Sequence, residues 1–355
     1  MPQSSFFNRI PFFIRLFNWE YWPANVVYTP VVAWYCWFAL KARSFFFFSA
    51  SNPGIETGGM LGESKWDVFK LLPKHAYPLT VLVEEGTTPD ELNQKIKNAS
   101  LTFPMIAKPD SGERGWLVKK LENEGDLKQY ASQVKIAFLL QAYIDLPLEL
   151  SIFYYRLPGY ENGIISSMVR KEMLAVTGDG HSALRQLIHN YPRALLQLPV
   201  LEISWRDRMN WIPAAKEEVM LVPIGNHSKG AKFVDACDLI DAELTKTIDE
   251  LSKQIPGFYY GRFDLRCASI ESLKEGRNYQ VMELNGCGAE PAHVYNPGSP
   301  LLKAYPVLFH HIRVMYLIST ANHKRGVPYM SLKQFLKKVK WRRDYIRRGE
   351  SAIIS

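Results

Sequence analysis

Two short segments, residues 261–266 (GRFDLR) and 280–286 (QVMELNG), constrain the fold of this chain more than any other part of it. In each, charged or amide side chains alternate with apolar ones. Successive side chains of an extended strand point to opposite faces, so Arg262 and Asp264 share one face, and so do Glu283 and Asn285. Such strands need an apolar core on one side and a polar site or solvent on the other. If the two pair, two carboxylates and an amide oxygen converge. That is the hard-oxygen set Mg²⁺ takes when it also binds nucleotide phosphates; a plain charged sheet surface has the same pattern.

From residue 63 onward, short apolar runs alternate with amphipathic ones. Strands are predicted at 80–83, 105–108, 116–119, 138–143, 150–156, 163–170, 218–222, 260–268 and 279–284. Helices are predicted at 89–97, 125–135, 182–189, 239–254 and 300–320. The plan is α+β with much antiparallel sheet and no internal repeat. With 355 residues there is chain enough for two lobes around one cleft. A hydrophobic content of 47% excludes a mainly disordered chain, and the short apolar runs exclude a polytopic membrane protein. Cys36, Cys237, Cys267 and Cys287 have no metal-ligand spacing and read as reduced thiols.

A third segment, residues 103–116 (FPMIAKPDSGERGW), ends an apolar strand on Lys108 and turns through Ser111, Gly112 and Gly115. A glycine hairpin lets backbone N–H groups approach phosphate oxygens, although an ordinary turn looks similar. Walker, zincin and nucleophile-elbow motifs are all missing.

Together these pieces resemble the ATP-grasp superfamily, in particular D-alanine:D-alanine ligases and cyanophycin synthetase-type carboxylate–amine ligases, over roughly residues 63–320. The resemblance implies an ATP-grasp fold of two α+β lobes enclosing ATP. Lys65, in GESKWDVFKLL, and Lys108 would contact phosphates. Ser111, Gly112 and Gly115 would form the phosphate hairpin. The hinge strand LLQAYIDLPLELSIFYY would set Gln141, Ala142, Tyr143 and Ile144 against adenine and Glu149 against the ribose. Asp264, Glu283 and Asn285 fall on the family's Mg²⁺ ligands, and Arg262 on its phosphoryl-steadying arginine. VTGDGHSALRQLI and IGNHSKGAKFVD resemble segments of the cyanophycin-type enzymes. They place Gly178, His181, Ser228 and Lys229 near substrate, and Asn226 and Lys171 with Arg262 in catalysis. The implied activity is an ATP-dependent ligase joining an acid to an amine through an acyl phosphate. A phosphotransferase and a non-catalytic membrane-binding module are the alternatives. The family's separate N-terminal domain has no counterpart here, so something else must complete the acceptor pocket.

In its place stands an aromatic segment. Residues 1–48 hold 17 of the chain's 46 Phe, Trp and Tyr residues, and Glu20 is their only acidic residue. The apolar run 26–40 is short for a membrane span and contains Pro30, and no signal-type cleavage site follows it. It reads either as an interfacial anchor or as an arm packed on the body. The anchor is favoured because Phe45 to Phe48 would be costly in water. Residues 51–62 read as a linker. At the other end, residues 333–348 carry eight Lys or Arg and one Asp, and Leu332, Phe335, Leu336, Val339 and Ile346 recur at helical spacing. Anionic lipid is preferred over a solvated tail, and nucleic acid is not expected as a partner. The net charge of +8 falls to +1 without this tail. The expected organisation is an arm and linker (1–62), a first lobe (63–140), a second lobe (141–330) and a tail (331–355). The expected setting is the cytoplasmic face of a membrane, with small-molecule or lipid-like acid and amine substrates.

Overall fold

The computed structural model describes residues 10–113 and 115–354. The first nine residues of the aromatic segment, Arg114 of the glycine hairpin and Ser355 of the tail lie outside the described residues. The chain opens with helices α1 (Pro11–Phe17), α2 (Ala24–Ala42) and α3 (Lys65–Leu71). A first lobe follows, with β1 (Thr80–Val83), α4 (Pro89–Asn98), β2 (Met105–Pro109), β3 (Lys119–Leu121), α5 (Glu124–Gln133) and β4 (Phe138–Ala142). Its sheet has the order β1-β4-β2-β3, and Leu92, Leu127 and Tyr130 of the two helices close its core.

The second lobe begins with β5 (Leu148–Tyr155) and β6 (Ile164–Glu172). A hairpin subdomain follows, comprising β7 (Leu174–Thr177), α6 (Leu184–Asn190), α7 (Pro192–Leu195), α8 (Leu198–Ser204) and β8 (Glu218–Val222), with its own core. Then come β9 (Lys232–Asp235), α9 (Ala242–Lys253), β10 (Tyr260–Cys267), α10 (Ile270–Lys274), β11 (Tyr279–Asn285) and α11 (Leu301–Lys324). The main sheet is antiparallel, in the order β11-β10-β5-β6-β9. Finally α12 (Leu332–Ile354) runs back to the first lobe.

Period-two patterning explains the main sheet. Leu150, Ile152 and Tyr154 of β5 and Phe263 and Leu265 of β10 face Leu244, Ile248 and Leu251 of α9. On the opposite face, Phe153, Tyr155 and Tyr260 pack under Val314, Met315 and Ile318 of α11 and Phe38 of α2. The rest of that face is polar and lines the cleft. The expected 116–119 strand is displaced to Lys119–Leu121, because turn hydrogen bonds from Trp116 N–H to Glu113 O and from Val118 N–H to Gly115 O hold residues 115–118 out of the sheet. The expected lobe boundary at 140 falls inside β4.

The aromatic segment is a packed arm. Its α2 lies on α11, and Phe47 and Phe48 sit in the core with α11, which stabilises by roughly 1.5–3 kcal/mol per ring removed from water. The solvent cost that favoured an anchor for these rings is therefore met by protein. Pro30 does not interrupt the helix: α2 runs through it, with Pro30 on the exposed side. Among the described residues, no helix is long and apolar enough to cross a membrane. Residues 51–62 are not a loose linker. Asn52 is fully buried, donating to Gly58 O (2.9 Å) and Tyr260 O (2.7 Å) and accepting from Tyr259 and Tyr260 N–H.

The tail forms the expected helix, and one face of it docks on the body. Phe335, Lys338, Arg342, Tyr345 and Gly349 turn inward, whereas Leu332, Leu336 and Val339 stay exposed. Tyr345 enters the first-lobe core, and its hydroxyl donates to Ala137 O (2.7 Å) and accepts from Ser111 N–H (3.3 Å).

Candidate active site

The β10–β11 register sets Asp264 opposite Glu283 and Arg262 opposite Asn285, and a bulge follows Asp264. All four face the cleft. Arg262 grips Asp264 with two hydrogen bonds, Nε to Oδ1 (3.0 Å) and Nη2 to Oδ2 (3.2 Å), and donates from Nη1 to Glu290 O (3.3 Å). Asp264 also accepts from Ser151 Oγ, from Asn285 Nδ2 (3.4 Å), and pairs with Lys171 Nζ (3.5 Å). Burial would raise its pKa, but the Arg262 and Lys171 charges and the Arg262 and Ser151 hydrogen bonds hold it well below the usual carboxylate range.

Helix α3 aims Lys65 at the same face. Ser64 caps it by accepting from Asp67 N–H, and Asp110 of the hairpin accepts from Trp66 N–H (2.9 Å) and Ser64 Oγ (3.0 Å). Lys65 Nζ meets Glu283 Oε1 at 2.6 Å and Gly112 O at 2.9 Å. Burial would raise the Glu283 pKa, but the Lys65 charge and hydrogen bond and the Lys108 charge keep it lowered. Lys108 leaves the end of β2, donates to Gln141 Oε1 (2.8 Å) and Met282 O (3.0 Å), and lies over the Phe69 ring. Burial, with Lys65 nearby, pushes its ammonium down to about 7.

Glu149 faces the same cleft from β5. Its carboxylate takes Arg266 (3.1 and 3.0 Å) and Lys171 (3.3 Å), and Arg266 also donates to Ile144 O in the hinge. Gly225 lets its loop pass close to this pair: a Cβ there would lie 2.2 Å from Glu149 Oε1 and 2.9 Å from Lys171 Cδ, so those side chains would have to shift. The loop that follows, residues 225–230, is the bridge across the cleft. Its Lys229 donates to Gly115 O of the first lobe (2.9 Å), and His227 Nε2 lies 2.6 Å from Glu20 of the arm.

The residues expected from sequence divide as follows. Lys65, Lys108, Lys171, Glu149, Arg262, Asp264, Glu283 and Asn285 are brought together, with Ser111, Gly112, Gly115 and Lys229 above them. Gln141 is not open to the cleft: it is fully buried, its amide spent on Lys108 and Thr80. Ala142 ends β4, and Tyr143 and Ile144 begin the connection to β5 between the lobes. Asn226 spends its side chain bracing its own loop through Ser228 N–H and Oγ. Gly178 and His181 are not part of the cluster. Gly178 bonds Glu217 and Lys216 in the hairpin subdomain, and His181 bonds Asp179 on its surface.

Several participants were missed. Glu20 lies buried between Arg193 Nη2 (2.9 Å to each oxygen) and His227, and Arg193 also donates to Ala231 O (3.1 Å). Tyr295 donates to Glu290 and pairs with Tyr28 of the arm. A lone carboxylate in an aromatic segment was the available signal, since such a group needs a partner.

Among the described residues, no three His, Cys, Asp or Glu side chains form a metal cluster. Asp264, Glu283 and Asn285 are nonetheless a fitting donor set for Mg²⁺ shared with phosphates. All three side chains lie on one face of the sheet, and the electrostatics of their neighbours lower the pKa of both carboxyls.

No protein-family model matches the chain, and no curated protein matches it. Solved structures similar to it include a bifunctional glutathione synthetase from Pasteurella multocida, with TM-score 0.40 and 16% identity, covering 69% of this chain and 36% of that one. D-alanine–D-alanine ligase from Bacillus anthracis has TM-score 0.40 and 16% identity, covering 74% and 69%. The VanG D-Ala:D-Ser ligase from Enterococcus faecalis has TM-score 0.39 and 15% identity, covering 71% and 61%. The chain thus spans about a third of the first structure and roughly two thirds of the others.

Proposed function

We propose that this protein is an ATP-grasp ligase that joins a carboxylate to an amine through an acyl phosphate. The observation that carries this reading is the convergence of Lys65, Lys108, Lys171 and Arg262 with Asp264, Glu283 and Asn285 in one cleft between two lobes. ATP would lie under the 110–116 hairpin. Mg²⁺ held by Asp264, Glu283 and Asn285 would offset phosphate charge.

Lys65 and Lys108 would take the α and β phosphates, exchanging Glu283 and Gln141 for phosphate oxygens. The substrate carboxylate attacks the γ-phosphorus, the bond to the ADP oxygen breaks, and ADP is released as the acyl phosphate forms. Arg262 and Lys171 steady the transferring phosphoryl group. The amine nitrogen then attacks the acyl carbon, inorganic phosphate leaves, and the amine gives up a proton. The arm borders the acceptor side: Tyr28 reaches Tyr295, which donates to Glu290, the residue whose carbonyl holds Arg262. A cavity of about 290 Å³ beside Tyr295, lined by Phe17, Trp19, Trp22 and Leu301, suits an amphiphilic substrate.

Calorimetric titration of the full chain with Mg-ATP, followed by an ADP-release screen against acid and amine pairs, tests the reading. Asp264→Asn and Glu283→Gln should each abolish Mg²⁺-dependent ATP binding. Wild-type affinity in both would refute the site, and a stable phosphorylated end product that is not consumed when amine is added would favour a phosphotransferase over a ligase.

A further inference from the structure

The outer surface of the arm is unusual for a protein surrounded only by water. Helix α2 is apolar on both sides. Its inner side is spent on α11. Its outer side presents Val26, Pro30, Ala33, Trp37 and Leu40 at helical spacing, with Trp37 50% and Leu40 74% exposed, and no charged side chain appears before Lys41. Phe12, Leu16 and Phe17 of α1 and Trp22 extend the same character past the N-terminal end of α2, and Phe45 past its C-terminal end.

At that C-terminal end, the Phe46 ring packs on Phe335 of α12, with centroids 4.9 Å apart. This contact joins the arm to the exposed stripe of α12, where Leu332 is 59% and Leu336 56% exposed and Val339 follows one turn on. The inward stripe of α12 is fully used on protein, so these three residues are surplus to the packing of the helix.

Charge selects the occupant. In residues 10–55 and 332–348 the only acidic residues are Glu20, buried against Arg193 and His227, and Asp344. Lys333, Lys337, Lys340 and Arg347 are exposed around the α12 stripe, and Lys41 and Arg43 sit beside Leu40 and Phe45. Aromatic and aliphatic side chains rimmed by cations fit the headgroup level of an anionic bilayer, with Trp22 and Trp37 at the depth tryptophan prefers. A second copy of the chain would set two basic rims against each other, which like-charge repulsion opposes. We propose that the outer faces of α1 and α2, Phe45 and the Leu332–Leu336–Val339 stripe together form a docking surface for an anionic lipid membrane, on which the protein lies without crossing it. Phe17 and Trp22 also border the cavity beside Tyr295, but the proposal does not rest on the ligase reading.

The test is flotation of the full chain with vesicles of phosphatidylcholine alone and with phosphatidylglycerol added. Wild type should float with the mixed vesicles, and far less with the neutral ones or at high salt. Trp37→Glu with Leu40→Glu should release it. Lys333→Gln, Lys337→Gln and Lys340→Gln together should weaken binding on the order of a hundredfold, because each cation near an anionic surface contributes a sizeable factor. All five positions are exposed, so native circular dichroism and an unchanged thermal midpoint are expected of both variants. Wild type that stays unbound to mixed vesicles overturns the proposal. So does a dimer by light scattering that the Trp37/Leu40 variant dissolves without any lipid effect, and so does retention by polyglutamate resin alone with no flotation.

Discussion

Replacing Glu20 tests whether the arm is an integral part of the folded body. Its side chain is 9% exposed, and it holds Arg193, itself 7% exposed, together with His227 at the edge of the cleft-bridging loop. Glu20→Gln keeps the shape and removes the charge. Breaking a buried pair by deleting one partner costs about 3–5 kcal/mol, because the other charge is left buried and uncompensated. Arg193 would retain Ala231 O at 3.1 Å and the Tyr21 ring at 5.5 Å, so the expected loss is near the lower end, about 3 kcal/mol in urea unfolding followed by tryptophan fluorescence. In a double-mutant cycle with Arg193→Met, the double variant should be less destabilised than the sum of the singles by about 2 kcal/mol.

The pH dependence has a defined sign. Burial would raise the Glu20 pKa, but the His227 hydrogen bond and the Arg193 charge outweigh it and bring the pKa below 4.5. A carboxyl with a depressed folded pKa contributes stability that is present above its unfolded pKa and lost as pH falls through the folded one. The deficit of Glu20→Gln relative to wild type should therefore hold at neutral pH and shrink below pH 4.5. A neutral-pH loss under about 1 kcal/mol, additive single effects, or a deficit unchanged in acid would each refute the pairing argument.

Two further outcomes follow from the cleft. With the Lys108 ammonium pushed down to about 7, ATP should bind more weakly as pH rises through that value, and binding should take up a proton, seen as a buffer-dependent heat; Lys108→Arg should flatten the profile, and equal slopes in both proteins would count against a phosphate role. Tyr345→Phe strands Ala137 O and Ser111 N–H, so denaturant unfolding should show a loss of about 1–3 kcal/mol, and an unchanged midpoint would mean that α12 does not brace the hairpin.

What could be read in advance depended on the range of the interactions. Arg262, Asp264, Glu283 and Asn285 were legible because period-two alternation fixes a shared face within each strand, and pairing two such strands needs only an antiparallel register. Lys108 was legible as a strand end. The strands Leu174–Thr177 and Lys232–Asp235 were not, being four residues each beside loops with the same composition. Gly178 and His181 resembled site residues yet fold into the hairpin subdomain, where local backbone bonds decide their neighbours. Gln141 was read as a ligand contact because its place in the hinge strand was visible, whereas its direction, toward Lys108 and Thr80, follows from the pairing of β4 with β1 and β2.

The tail shows the same limit from the other side. Hydrophobicity marked Leu332, Leu336 and Val339 as part of an apolar stripe set opposite the basic residues, and burial against the body went instead to the face that could satisfy specific partners. Lys338 pairs with Glu56 of the 51–62 segment, Arg342 with Glu113 of the hairpin and Arg348 with Glu85 of the first lobe. Exposed pairs of this kind contribute little one by one, typically under about 1 kcal/mol. They set the rotation of a helix whose Tyr345 ring and hydroxyl supply the larger share. Once that rotation is fixed, Leu332, Leu336 and Val339 must face outward, so the features that bind the tail to the body also create its exposed stripe.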